Sequence, residues 1–235
     1  MSATAATTAS FSTIPRRRVF VVAGVLVALF VFAGFARTCY LRPWLPARAI
    51  KPLVHAHGVL MSGWIALYVT QVWLIRRSRH TLHRCLGILG TILALAMVGV
   101  GTVVAARAIG RRFPGTQGAR FLRIFVEFDG LSLWLFGALV LSGITLRTRP
   151  EFHRRLMLTA TVSLLPPAFG RIAALWFHLQ GGAHDLMAAF ATSVLALSCA
   201  VIDTRERRAW HPVMWWGAAS VVIVNLVTCL TQVGD

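Results

Sequence analysis

The sequence predicts an all-α membrane protein of seven transmembrane helices, built as one anchor helix followed by three repeated helical hairpins. Three observations carry this reading. Of the 235 residues, 57% are hydrophobic and 13% are charged, roughly half the charged share of a soluble domain. The apolar residues fall in continuous runs of about the 20 residues a helix needs to cross the hydrocarbon. A basic hinge recurs three times between those runs: Arg77-Ser-Arg79-His80-Thr-Leu82-His83, Arg147-Thr-Arg149-Pro-Glu-Phe152-His153 and Arg205-Glu-Arg207-Arg-Ala-Trp210-His211. In each copy arginines stand six and four residues before a histidine. An apolar residue precedes that histidine and another follows three residues later. Counting back 26 residues from the histidines lands on His57, Glu127 and Asp185. Each unit therefore carries an ionisable side chain at the same place.

Residues 1–18 hold a Ser, Thr and Ala-rich stretch and then Arg16-Arg17-Arg18, and are expected to be a disordered cytoplasmic segment. The apolar run at 19–36 is longer than a signal-peptide core and lacks a good cleavage site, so it reads as a retained anchor helix. The six-helix bundle occupies 50–235, with spans at about Leu53–Ile75, Leu86–Ile109, Phe121–Leu146, Leu156–Leu179, Leu186–Ile202 and Val213–Val233. The runs lack the alternation of a closed barrel, the other architecture that satisfies backbone groups in lipid.

With the amino terminus inside, the cytoplasmic segments hold 14 Lys and Arg, the opposite segments hold 9, and Arg171 lies within a span. This bias predicts a bacterial inner-membrane protein with a cytoplasmic amino terminus and a periplasmic carboxyl terminus. The formal charge of +17 is thus accounted for by topology and headgroup contact, with the lipid bilayer as partner and no motif for nucleic acid. Cys39, Cys85, Cys199 and Cys229 form no CxxC pair, which excludes the common zinc-ribbon and thioredoxin patterns. Four free thiols are expected, although Cys39 and Cys229 lie toward the same face.

Ionisable side chains inside a membrane turn inward or toward a wet cavity. His55, His57, Glu127, Asp129, Arg171, His178, His184 and Asp185 all fall in the outer half of the bundle on this topology. Residues two apart diverge by about 200° on a helix, so His55 and His57 cannot face one centre, nor can Glu127 and Asp129. Arg171 stays ionised and needs a counter-ion, for which Glu127 or Asp129 is the natural choice. Pro166-Pro167 and Gly170 kink the helix that carries it.

His57-x3-Met61, Gln71, Arg77 and His83-Arg84-Cys-Leu86-Gly87, followed by His153-Arg154-Arg155-Leu-Met157 and Arg171, resemble an uncharacterised family of bacterial multi-pass membrane proteins. Members share a His-Arg-x-Leu-Gly signature in a domain of unknown function, so the resemblance covers residues 52–180 and implies no activity. His57-x3-Met61 with Leu82-His83 is similar to an arrangement in transmembrane di-haem cytochromes b. That similarity implies haem b held by pairs of histidines, one pair toward each membrane face. His83 with His153 or His211 would form the inner pair, and His57 with His178 or His184 the outer one. Glu127, standing where a second outer histidine belongs, departs from that pattern.

Three functions follow. The first is a redox protein holding haem or metal through His57, His83, His153 and His178. The second is an intramembrane hydrolase with a divalent metal on His57, Glu127, His178 and Asp185. The third is a carrier or proton relay using Glu127, Asp129 and Arg171.

Overall fold

The computed structural model describes residues 18–45, 51–127, 130–180 and 182–233. No strand occurs among the described residues. Helix α1 is Arg18–Phe35 and continues as a π-helical turn, Ala36–Tyr40, and a 3-10 turn, Arg42–Trp44. The remaining helices are α2 Pro52–Arg76, α3 His80–Arg112, α4 Gly118–Glu127, α5 Gly130–Thr145, α6 Pro150–Ser163, α7 Pro166–Trp176, α8 Gly182–Arg207 and α9 Pro212–Val233. Six segments are long and apolar enough to cross a bilayer: 18–40, α2, α3, the joined pair α6 and α7, α8 and α9. The chain is therefore a multi-pass membrane protein.

Within the expected 121–146 span, α4 runs to Glu127 and α5 starts at Gly130, and residues 128 and 129 lie outside the described residues. Arg120 and Arg123 make α4 amphipathic. An interruption among the described residues falls inside the expected 156–179 span. There α6 ends at Ser163 and α7 restarts at Pro166, because the Pro166-Pro167 pair removes two N–H donors and forbids a continuous helix through them. Helices α2, α6, α7 and α9 all have proline in their first turn, where its missing donor costs nothing.

Consecutive helices pack as neighbours: α2 on α3, α5 on α6 and α8 on α9. The first two hinges share one register. Arg79 and Arg149 are the caps, and His83 and His153 are each the fourth residue of the helix that follows. The third hinge differs, since Arg205 and Arg207 still belong to α8 and α9 begins only after His211. Ser78 and Arg208 close their turns at φ 57° and 56°.

Helix α6 occupies the centre, touching α1, α5, α8 and α9. Trp64, Phe136, Leu158 and Val162 meet in the core. There the Trp64 ring stands edge-on to Phe136 at 4.8 Å and its Nε1 donates to Thr161 Oγ1 at 3.2 Å. The anchor helix is built into this bundle. At Gly34 an added Cβ would come within 2.5 Å of the Ala168 carbonyl oxygen, so α1 and α7 cross backbone to backbone. The molecule thus has two ends. One holds the three hinges and the start of α1; the other holds the end of α1, the starts of α2 and α8 and the ends of α3, α7 and α9.

Candidate functional site

Away from the hinges the helices separate around a cavity of about 850 Å³. The interrupted span reaches it directly, for Leu164, Leu165, Pro166 and Pro167 all line the wall. So does Gly130, the first residue of α5. Four ionisable residues expected from sequence are on the wall: His57, Arg171, His184 and Asp185. They come from α2, α7 and α8, so the chamber joins two of the three positions that the 26-residue spacing marks, His57 and Asp185. The third, Glu127, closes α4, and its side chain lies outside the described residues, as does all of Asp129.

Each histidine is set by a glycine on the helix opposite. A Cβ at Gly101 would lie 3.3 Å from His57 Cε1, and one at Gly170 would lie 3.1 Å from His184 Nε2. Without side chains at these points the rings sit against helix backbone. His184 Nδ1 is 2.8 Å from Asp185 Oδ1. Arg171 lies over the Phe35 ring at 4.3 Å and donates from its guanidinium to the Pro167 carbonyl at 3.1 Å. Arg112, Ser132, Asn225, Thr228 and Cys229 add to the polar part of the wall, and Val31, Phe35, Met61, Ile65 and Leu133 are among its apolar residues.

The remaining sequence candidates lie elsewhere. His178 follows α7 in the left-handed region at φ 56°, is exposed and does not line the chamber. His55 is exposed at the start of α2. Among the described residues no three His, Cys, Asp or Glu side chains converge as a metal site. Of the four proposed metal ligands the chamber gathers His57 and Asp185 among the described residues. All four cysteines are free thiols.

At the hinge end His83 and His153 do meet. Their ring centroids are 6.3 Å apart and their planes 84° apart, and His153 Nδ1 is 2.8 Å from the Gly143 carbonyl oxygen. His211 is apart from that pair, packed edge-on against Phe152 at 5.3 Å.

The hinge end also holds a charge cluster that the sequence reading missed. Arg155 and Asp203 are both fully buried, with Arg155 Nε donating to Oδ2 and a terminal nitrogen to Oδ1, each at 2.8 Å. The other terminal nitrogen of Arg155 donates to the Glu151 carboxylate at 2.7 Å and to the Glu151 carbonyl at 2.6 Å. Glu151 also accepts from Arg207 at 2.6 Å and from Arg154. Arg154 and Arg155 lie over the Phe20 ring of α1. The network ties α6 to α8 and rests on α1. Its signal in the sequence was Asp203, one of only seven acidic residues, placed two residues before the third hinge.

No protein-family model, curated protein or solved structure matches the chain.

Proposed function

We propose that the protein is a membrane carrier or binding protein whose 850 Å³ chamber takes a small carboxylate with an apolar body. The observation that carries this is the placement of Arg171 on the chamber wall among aliphatic and aromatic side chains. The ends of the chamber's polar set differ in character: Arg171 and Arg112 supply fixed positive charge, while His184 and Asp185 offset one another at 2.8 Å. An anion entering that field gains charge-assisted hydrogen bonds, and its apolar part replaces water against Met61, Ile65 and Leu133. Glu127 and Asp129, whose side chains lie outside the described residues, are the acidic groups proposed to relay a proton as ligand binds.

The break between α6 and α7, facing the cavity, supports transport over static binding. Carriers place broken helices at their sites because free backbone groups and helix ends meet the ligand there. The α7 amino terminus, at Pro166, opens into this chamber with its positive dipole end. The bias in Lys and Arg supports a bacterial inner membrane with the hinge end cytoplasmic.

The test is a thermal-shift titration of the purified protein with a graded series of alkyl carboxylates, followed by uptake into proteoliposomes. The wild type is expected to be stabilised by at least one carboxylate. An Arg171→Ala variant that remains folded should bind it at least about tenfold more weakly, the loss of one charge-assisted contact. Equal binding and uptake by that variant overturns the reading.

One observation favours a second reading, in which His83 and His153 flank a haem b or a divalent metal. Two imidazoles on opposite sides of one metal, each bonded at about 2.0 Å, have centroids roughly 6 Å apart, close to the 6.3 Å found. The Gly143 contact at Nδ1 orients the His153 ring and frees Nε2 for ligation. A haem there would supply one-electron transfer. Expression with ample haem precursor should then give a Soret band that His83→Ala and His153→Ala both abolish. A colourless protein without stoichiometric metal eliminates this reading and leaves the carrier reading intact.

A further inference from the structure

We infer that the chamber end of the bundle carries a second site, a groove that binds one acidic phospholipid. It lies between the start of α2 and the end of α3 and has a volume of about 400 Å³. Leu53, Val54 and Val104 form an apolar floor, and Lys51, Arg107 and Arg111 stand around it. No acidic side chain lines it among the described residues. It shares only Val104 with the chamber, so it is independent of what the chamber binds.

Depth decides what such a groove meets. Residues 85–106 of α3 carry no charged side chain. These 22 residues span about 33 Å at 1.5 Å each, close to the thickness of the hydrocarbon core. Arg84 and Arg107 therefore bracket that core, and Arg107 falls level with the headgroups. Arg111, one turn further on the same face, and Lys51, immediately before α2, are at the same level or just outside it.

The three cations are exposed and have long aliphatic stems, which can lie on acyl chain while their heads reach phosphate. A soluble phosphate would satisfy the charges but leave Leu53, Val54 and Val104 facing water. An acidic phospholipid fits both halves of the groove, its phosphate among three positive charges and the top of an acyl chain on the apolar floor. Each basic residue near the surface adds a similar increment of attraction.

Native mass spectrometry of the full-length protein tests this, with phosphatidylglycerol and phosphatidylcholine of matched chains as probes and inorganic phosphate as competitor. The wild type should retain one phosphatidylglycerol in preference to phosphatidylcholine. Removing each charge should weaken retention about fivefold, so Lys51→Gln/Arg107→Gln/Arg111→Gln should lose the preference. Arg107→Lys/Arg111→Lys should keep most of it. The side chains are exposed, and an unchanged unfolding temperature of each variant separates lipid loss from misfolding. Three results overturn the inference: equal retention of both lipids by the wild type, undiminished preference in the triple variant, or displacement of the lipid by inorganic phosphate.

Discussion

Arg155 makes four hydrogen bonds, all to α6 and α8, while wholly shielded from the surroundings. Removing its charge alone strands Asp203, equally buried, without the cation that balances it. Breaking a buried pair from one side costs about 3–5 kcal/mol, while replacing both partners by apolar residues is far milder. Arg155→Met should therefore lower the unfolding temperature in detergent sharply, and Arg155→Met/Asp203→Leu should recover much of the loss. If the double variant is as unstable as the sum of the singles, the pair is not energetically coupled. This cluster also shows why residue-level reading from sequence was partial. His57 and Asp185 were found because the repeat marks them by spacing. Arg155 stood beside Arg154 in a hinge motif and read as a surface charge, since an arginine's depth depends on partners that sequence order does not reveal. Arg171 was legible because it stands well inside an expected apolar span, away from both of its ends.

At the scale of elements, the pairing of consecutive helices was legible and the interruption only half so. The Pro166-Pro167 pair announced a kink, and it proved to be a full break between α6 and α7. The packing of α1 against α7 was not legible at all, because an apolar helix of ordinary composition carries no address for its partner. That contact makes a sharp prediction. In Gly34→Leu the new side chain meets the Ala168 backbone, at 2.5 Å from its oxygen and 2.9 Å from its Cα, and backbone cannot yield as a side-chain tip does. A destabilisation of about 1–3 kcal/mol is expected, read as a lower unfolding temperature. Gly99→Leu, where an added Cβ meets nothing within 4 Å, is the matched control and should be neutral. Equal effects of the two would mean that α1 and α7 do not cross there.

For the whole molecule, one titration outside the spans links solution pH to the bundle. Burial holds the His211 imidazole below its ordinary value of 6.5, aided by Arg155 and Arg207 and opposed by Asp203 and Glu151. Above pH 6.5 the ring is neutral in both folded and unfolded chains, and its contribution to stability is fully present. As pH falls from there toward the lowered folded value, the unfolded chain takes up a proton first and stability is lost. The unfolding temperature in micelles should therefore decline on acidification through this window, and His211→Asn should flatten the decline. A profile identical in both proteins would assign the acid sensitivity to another group. The burial of Arg155 reaches further, to the order in which the chain is made. The segment from Pro150 to Trp176 is the least apolar of the six spans and the most enclosed, and the carboxylate that completes it is translated 48 residues after Arg155. Lipid alone is a poor solvent for that arginine, so the segment must wait beside the insertion machinery until α8 arrives, and the two enter as a unit. A nascent chain ending at residue 180 should leave this segment outside the bilayer in a glycosylation-reporter assay. Arg155→Leu in the same shortened chain should let it insert by itself.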